Sequence, residues 1–234
     1  MPRVIKHPDV RRAELLDRAL ALFLQRGYDN VSLNDLIADA GVSKGAFYHW
    51  FPSKEALIVA LADRIVRDQF TTIEATVAQC DGNALDKLNT LLQSGFDVKV
   101  ATGTPEQLAA AVSLLRPENA QLYARIVALG EDLARPLLTQ LISDGVTQGT
   151  FDTFDAEGVA DMLQGFAART NSNLLRVADA ADDSARSHEI DLLTTRFRLH
   201  GLAIDRILGL ADGSVATLTR EQVDTMLAGL PRNY

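Results

Sequence analysis

Residues 32–51 read SLNDLIADAGVSKGAFYHWF. Ser32 and Asp35 form the S/T-x-x-D/E pattern that caps a helix by satisfying its first free amides. Leu33, Leu36 and Ile37 follow at helical spacing and should face inward. The segment stops at Ala40-Gly41, where glycine supplies the left-handed backbone of a tight turn. A second short helix opens after Ser43, carries Phe47, Tyr48 and Phe51, and ends at Pro52-Ser53. Leu36, Ile37, Val42 and Phe47 are placed to pack the two helices on each other. This helix-turn-helix pattern leaves the polar side chains of its second helix free to enter a major groove. By itself it also fits a plain helical hairpin.

Working outward, residues 10–26 predict a preceding helix with Leu16, Ala19, Leu20 and Phe23 as its buried stripe and Gly27 as its stop. Ser53 caps a long following helix with Leu57, Ile58, Leu61 and Ile65 on one side. Asp81-Gly82-Asn83 reads as a turn. Gly103-Thr104-Pro105 should lead to a cap involving Gln107, and Arg116-Pro117-Glu118-Asn119 is a break. Residues 149–155 read as a loop, residues 179–187 as a polar linker, and Thr219 with Gln222 as the cap of a last short helix. No long run alternates as a half-buried strand does. The expected architecture is all-α: a three-helix helix-turn-helix DNA-binding domain over residues 1–70, joined to a helical bundle over 71–234.

The chain has 234 residues and a net charge of −8, which at first opposes nucleic acid. The distribution is uneven: residues 1–54 carry eight Lys/Arg and six Asp/Glu, leaving the rest at −10. Phosphate binding requires local positive charge, not a positive total. The single cysteine, Cys80, excludes an intrachain disulfide and is expected as a small buried hydrophobe. One thiol and no secretory h-region near the start point to a reducing cytoplasm. No apolar stretch is long enough for a transmembrane helix, so no membrane partner is expected.

Residues 38–57, containing AGVSKGAFYHWFPSKEAL, closely resemble the N-terminal signature of the TetR family of transcriptional repressors. Typical members read A-G-V-S-x-G-x-x-Y-x-H/Y-F-x-x-K-x-x-L. The end of the first helix, Phe23-Gln25-Arg26-Gly27-Tyr28, and Val31-Ser32 also fit, so the likeness covers roughly residues 10–70. Further on, GVTQGTF at 145–151 is similar to the turn that follows a long helix in this family. The resemblance implies roles in DNA binding. Ser32 would cap its helix near a phosphate, and Ser43, Lys44, Gly45 and Ala46 would open the recognition helix. Lys44 could donate to guanine and Ala46 meet a thymine methyl. Tyr48 and Lys54 would hold phosphate, and His49 would reach DNA. Trp50 departs from the pattern, standing where His or Tyr is usual.

Catalytic readings fail on context. Gly41-Val-Ser-Lys-Gly45 matches G-x-S-x-G, but the nucleophile elbow needs a preceding strand. His7, His49, His188 and His200 lack metal-ligand spacing, so no metal, cofactor or enzymatic activity is expected.

In the remainder, residues 187–210 form a helix with two apolar stripes: Ile190, Leu193, Phe197, Ile204 and Leu208, and Leu192, Leu199, Ala203 and Ile207. A helix apolar on two sides is buried on two sides. Residues 156–178 add Val159, Leu163, Phe166, Thr170 and Leu174. The resemblance implies that these two helices form a four-helix homodimer interface, assigned to Val159, Leu163, Phe166, Leu174, Ile190, Leu193, Phe197 and Ile204. It also implies a small-molecule effector within the body, with Arg116, Tyr123, Arg169 and Asn171 as candidates. The expected whole is a ligand-responsive repressor that binds a palindromic double-stranded DNA operator as a homodimer and is released by its effector.

Overall fold

The computed structural model of the chain describes residues 8–96 and 112–228. Among the described residues all regular structure is helical. The expected break and cap at 103–107 lie outside the described residues. Two compact units emerge: Met1–Arg67 together with Arg116–Leu129, and Asp68–Leu115 together with Gly130–Tyr234.

The first unit contains α1 (Pro8–Arg26), α2 (Leu33–Ala40), α3 (Lys44–Trp50), the start of α4 (Lys54–Ala78) and a 3-10 turn at Pro117–Asn119. Gly27 ends α1 at φ 83, its amide donating to the Phe23 carbonyl at 2.8 Å. Leu16, Phe23, Phe47, Phe51, Leu57 and Leu61 are buried almost completely. Burying such a side chain contributes roughly 1.5–3 kcal/mol, a large share of the small net stability of a folded unit. Arg64 on α4 ties back to α1, donating to the Ala13 carbonyl at 3.1 Å and pairing with Asp17 at 2.8 Å.

The second unit contains α5 (Ala84–Phe96), α7 (Ala156–Ala178), α8 (Asp183–Ile207), α9 (Arg220–Leu227) and the greater part of α6 (Ala120–Thr147). One core cluster gathers Leu88, Ile142, Phe151, Leu163 and Leu208. A second gathers Val177, Leu193, Phe197, Val223 and Leu227. The turn after α6 is tight because Gly145 lies beneath Phe151: a Cβ there would come 2.1 Å from the ring. The amides of Thr150 and Phe151 both donate to the Gly145 carbonyl. Asp205 is fully buried, but its carboxylate accepts from the amides of Gly213 and Val215 at 2.7 and 2.8 Å. Both oxygens are thereby satisfied, which offsets the cost of burying them.

Three expectations are corrected here. The polar stretch 179–187 is mostly not a linker, since α8 begins at Asp183. Asp182 caps it by accepting from the Ala185 amide at 2.8 Å, and Asp183 favours the positive helix end. Cys80 is half-buried, and the Thr90 hydroxyl donates to its sulfur at 3.6 Å. The residues assigned to a dimer interface are mostly interior to one chain. Val159, Leu163 and Ile204 sit in the first cluster, and Leu174, Ile190, Leu193 and Phe197 in the second. Only Phe166 of that set is half-buried, its ring stacked on His200 at 4.8 Å. Of the other α8 stripe, Leu192 and Leu199 are exposed, as is Met162 on α7, while Ile207 packs against the first cluster.

Candidate nucleic-acid interface

The helix-turn-helix is set by its caps. Ser32 Oγ accepts from the Asp35 amide at 3.2 Å, while the Asp35 carboxylate accepts from the Ser32 amide at 2.8 Å and hydroxyl at 2.5 Å. Those two bonds from Ser32 hold the Asp35 carboxyl below its ordinary range. Gly41 closes α2 at φ 62, and its amide reaches the carbonyls of Ala38 and Ile37. Ser43 opens α3 by accepting from the Ala46 amide at 3.2 Å. Arg18 of α1 braces the end of α2, donating to the Asp39 carbonyl at 2.7 Å.

What α3 buries and what it presents are cleanly divided. Phe47 is buried and lies 5.8 Å from the ring of Phe51, itself buried just past the helix end. Lys44, Gly45, Ala46, Tyr48 and His49 are all exposed. Lys44 Nζ stands 5.8 Å from the centroid of the Tyr48 ring, and Tyr48 meets Phe47 edge-on. A Cβ on Gly45 would meet nothing within 4 Å. A glycine in a helix costs about 1 kcal/mol relative to alanine, and nothing inside the chain requires one here. His49 lies against Trp50 at 5.3 Å, and Trp50 is half-buried, consistent with a packing residue.

Lys54, the first residue of α4, is drawn into the fold. Its ammonium donates to the Tyr28 carbonyl at 2.5 Å and lies 3.9 Å from the centroid of the Tyr28 ring. Burial pushes that ammonium below its ordinary pKa, although Asp29 and Glu55 pull the other way. An ammonium carries three donors, so one bond to Tyr28 leaves others for an incoming oxygen. Burial, with Glu55 and Asp29 nearby, raises the Tyr28 phenol.

The sequence reading missed Arg12 and Asn119. Arg12 is exposed on α1 and its guanidinium stands 5.6 Å from the Phe51 ring, beside the end of α3. Its position about one turn into α1 carries no local signal. Asn119 is buried, and its Oδ1 accepts from the Tyr28 amide at 2.8 Å.

The effector candidates are divided between the two units. Arg116 and Tyr123 are half-buried and belong to the first unit. Arg169 and Asn171 lie in α7, and their side chains fall outside the described residues. The second unit has an open cleft of about 310 Å³ with Val77, Leu137 and Leu141 beneath a rim that includes Glu74, Lys87 and Asp144. Neither Arg116 nor Tyr123 lines it. Among the described residues no helix is long and apolar enough to cross a membrane, and no cluster of His, Cys, Asp or Glu is grouped to hold a metal ion.

A short capped helix pair with an exposed polar second helix is the geometry of a helix-turn-helix. Residues 15–61 match the bacterial regulatory proteins of the tetR family. The chain is 30% identical over 146 residues to the HTH-type transcriptional repressor KstR2 of Rhodococcus jostii, covering 60% of this chain and 68% of that protein. Over 93 residues it is 33% identical to the HTH-type transcriptional repressor NemR of Escherichia coli, covering 40% of this chain and 47% of NemR. The crystal structure of FadR from Bacillus subtilis in complex with stearoyl-CoA shares the fold, at 20% identity and a TM-score of 0.57, over 77% of this chain and 96% of that one. The chain belongs to the TetR family of transcriptional regulators. Both KstR2 and NemR are transcriptional repressors. Against the first curated relatives, the chain spans about half their length or less.

Proposed function

We propose that this chain is a homodimeric, ligand-responsive repressor that reads a two-fold symmetric operator and is released by a small molecule. The observation that carries the reading is α3 itself. Its buried side chain, Phe47, fixes the helix to the unit, while Lys44, Gly45, Ala46, Tyr48 and His49 are all left on its surface. In this reading Lys44 and Ala46 meet base edges, and Gly45 lets the helix approach closely. Tyr48, His49 and Lys54 meet phosphate or sugar, and Ser32 and Ser43 set the helix starts.

Dimerisation would use the outward faces of α7 and α8, where Met162, Leu192 and Leu199 are exposed beside half-buried Phe166. A two-fold dimer presents two α3 helices and so matches an inverted repeat. Repression is the sign carried by the names of KstR2 and NemR. A body that holds a ligand is supported by the stearoyl-CoA complex of FadR, which establishes the architecture and not the ligand. Selection of bound duplexes from a random pool by the full chain tests the reading. Enrichment of an inverted repeat is expected; enrichment of nothing, or of sites without symmetry, overturns it.

A further inference from the structure

Residues 27–29 are seated on a segment ninety positions away. The Tyr28 amide donates to Asn119 Oδ1 at 2.8 Å, and the Asp29 amide donates to the Glu118 carbonyl at 3.2 Å. Gly27 completes the contact: a Cβ there would come 2.6 Å from Glu118 Cβ. Asn119 is 1% exposed, so its carboxamide has been taken out of water to make this bond. A buried polar group is costly unless it is hydrogen-bonded, which marks the contact as built into the fold. On the opposite side of residue 28, Lys54 takes the carbonyl. Tyr28 is thus gripped at both its backbone groups by side chains from outside its own loop.

The grip lies close to the reading element. Only residues 29–31 separate it from Ser32, which caps α2. Those residues have little slack, because the Asn30 amide donates to Gly27 and the Val31 amide to Tyr28. Beyond Asn119 the chain enters α6 directly and continues as one helix to Thr147.

We propose that Asn119 is a positioning residue for DNA reading. Its carboxamide holds the Tyr28 amide, and so sets where α2 begins and how α3 is presented to the groove. This rests on the operator-reading function proposed above. Asn119 touches no DNA; it acts through residue 28. Losing it leaves the phosphate-contacting side chains in place but loosens their common frame, so discrimination falls before general adhesion does. Phosphate contacts supply most non-specific binding, whereas base contacts need correct register.

The test uses the full chain, a duplex selected by the wild-type protein and a scrambled duplex of equal length, at one salt concentration. Asn119→Ala is expected to bind the selected duplex about tenfold more weakly, in line with loss of one buried hydrogen bond, and the scrambled duplex within about twofold of wild type. Asn119→Asp, which keeps an acceptor for the Tyr28 amide, is expected to recover most of the loss. In the wild type, hydrogen exchange at the Tyr28 amide should slow at least about tenfold when the selected duplex is bound, a readout that does not depend on any variant folding. Wild-type discrimination by Asn119→Ala, equal loss on both duplexes, or exchange at Tyr28 indifferent to the duplex would each overturn the proposal. Failure of the wild type to select any duplex would instead remove the operator-reading function beneath it.

Discussion

The ammonium of Lys54 lies 3.9 Å from the centroid of the Tyr28 ring while bonding the carbonyl of the same residue. It therefore has a structural duty as well as the proposed phosphate contact, and one substitution should reveal both. Lys54→Met keeps much of the stem and removes the charge. It should lower the melting temperature of the protein and weaken binding to all duplexes alike. The slope of log affinity against log salt should fall by about 0.9, the value for one lost phosphate contact on B-DNA. A lowered melting temperature with an unchanged slope would assign Lys54 to the fold alone.

Lys44 and Tyr48 should separate by kind of effect. Lys44→Ala should change which base is preferred at one position of each half-site, costing about 1–3 kcal/mol on the preferred base. Tyr48→Phe removes only a hydroxyl and should weaken binding evenly across sequences. Repeating the selection with each variant reads both outcomes; a Lys44→Ala site identical to wild type would remove its base-reading role.

On α8, two positions separated by one residue should behave as opposites. Leu199 is 50% exposed and Phe197 is 3% exposed. Leu199→Glu should leave a folded, helical chain that sediments as a monomer. Phe197→Glu places a carboxylate in the core beside Leu193 and should unfold the second unit. A folded dimer from Leu199→Glu would place the subunit contact elsewhere.

The capping box of α2 should be sensitive to acid. Asp35 ionises below its ordinary range because the Ser32 hydroxyl and amide bond its carboxylate. A carboxylate depressed in the folded state contributes stability that is complete above the ordinary carboxylate range and is lost as pH falls through the folded value. Ser32→Ala should shift Asp35 back upward in an NMR titration. It should also cost about 1 kcal/mol of stability at neutral pH, as cap removals do.

Adding one methyl group at residue 145 should be poorly tolerated. Gly145→Ala drives a Cβ into the Phe151 ring, which is buried in the first core cluster of the second unit. A loss of about 1–3 kcal/mol is expected in denaturant melts, as for other overpacked cores. Phe151→Leu should recover part of it by yielding the space.

Features set by neighbours in sequence were legible. Ser32 with Asp35, Thr219 with Gln222, Gly27 and Gly41 all act within a few residues, so composition and spacing suffice. The start of α8 at Asp183 is not marked by periodicity, because its first turns are polar and a capped helix end needs no apolar residue. Which stripe of α8 faces inward was not legible either. Leu193 and Leu192 are equally apolar, and only the positions of α7 and α9 decide between them. The bond from Asn119 to Tyr28 spans 91 residues and leaves no local trace in either segment.

The first compact unit is assembled from two separated stretches, and this constrains how its reading specificity could be transplanted. A fusion carrying only the first 67 residues would leave the Tyr28 and Asp29 amides without their acceptors, Asn119 Oδ1 and the Glu118 carbonyl. A chimaera that exchanges operator preference between regulators must therefore import residues 116–129 together with the N-terminal segment. Shuffling at a single crossover would yield a mismatched graft.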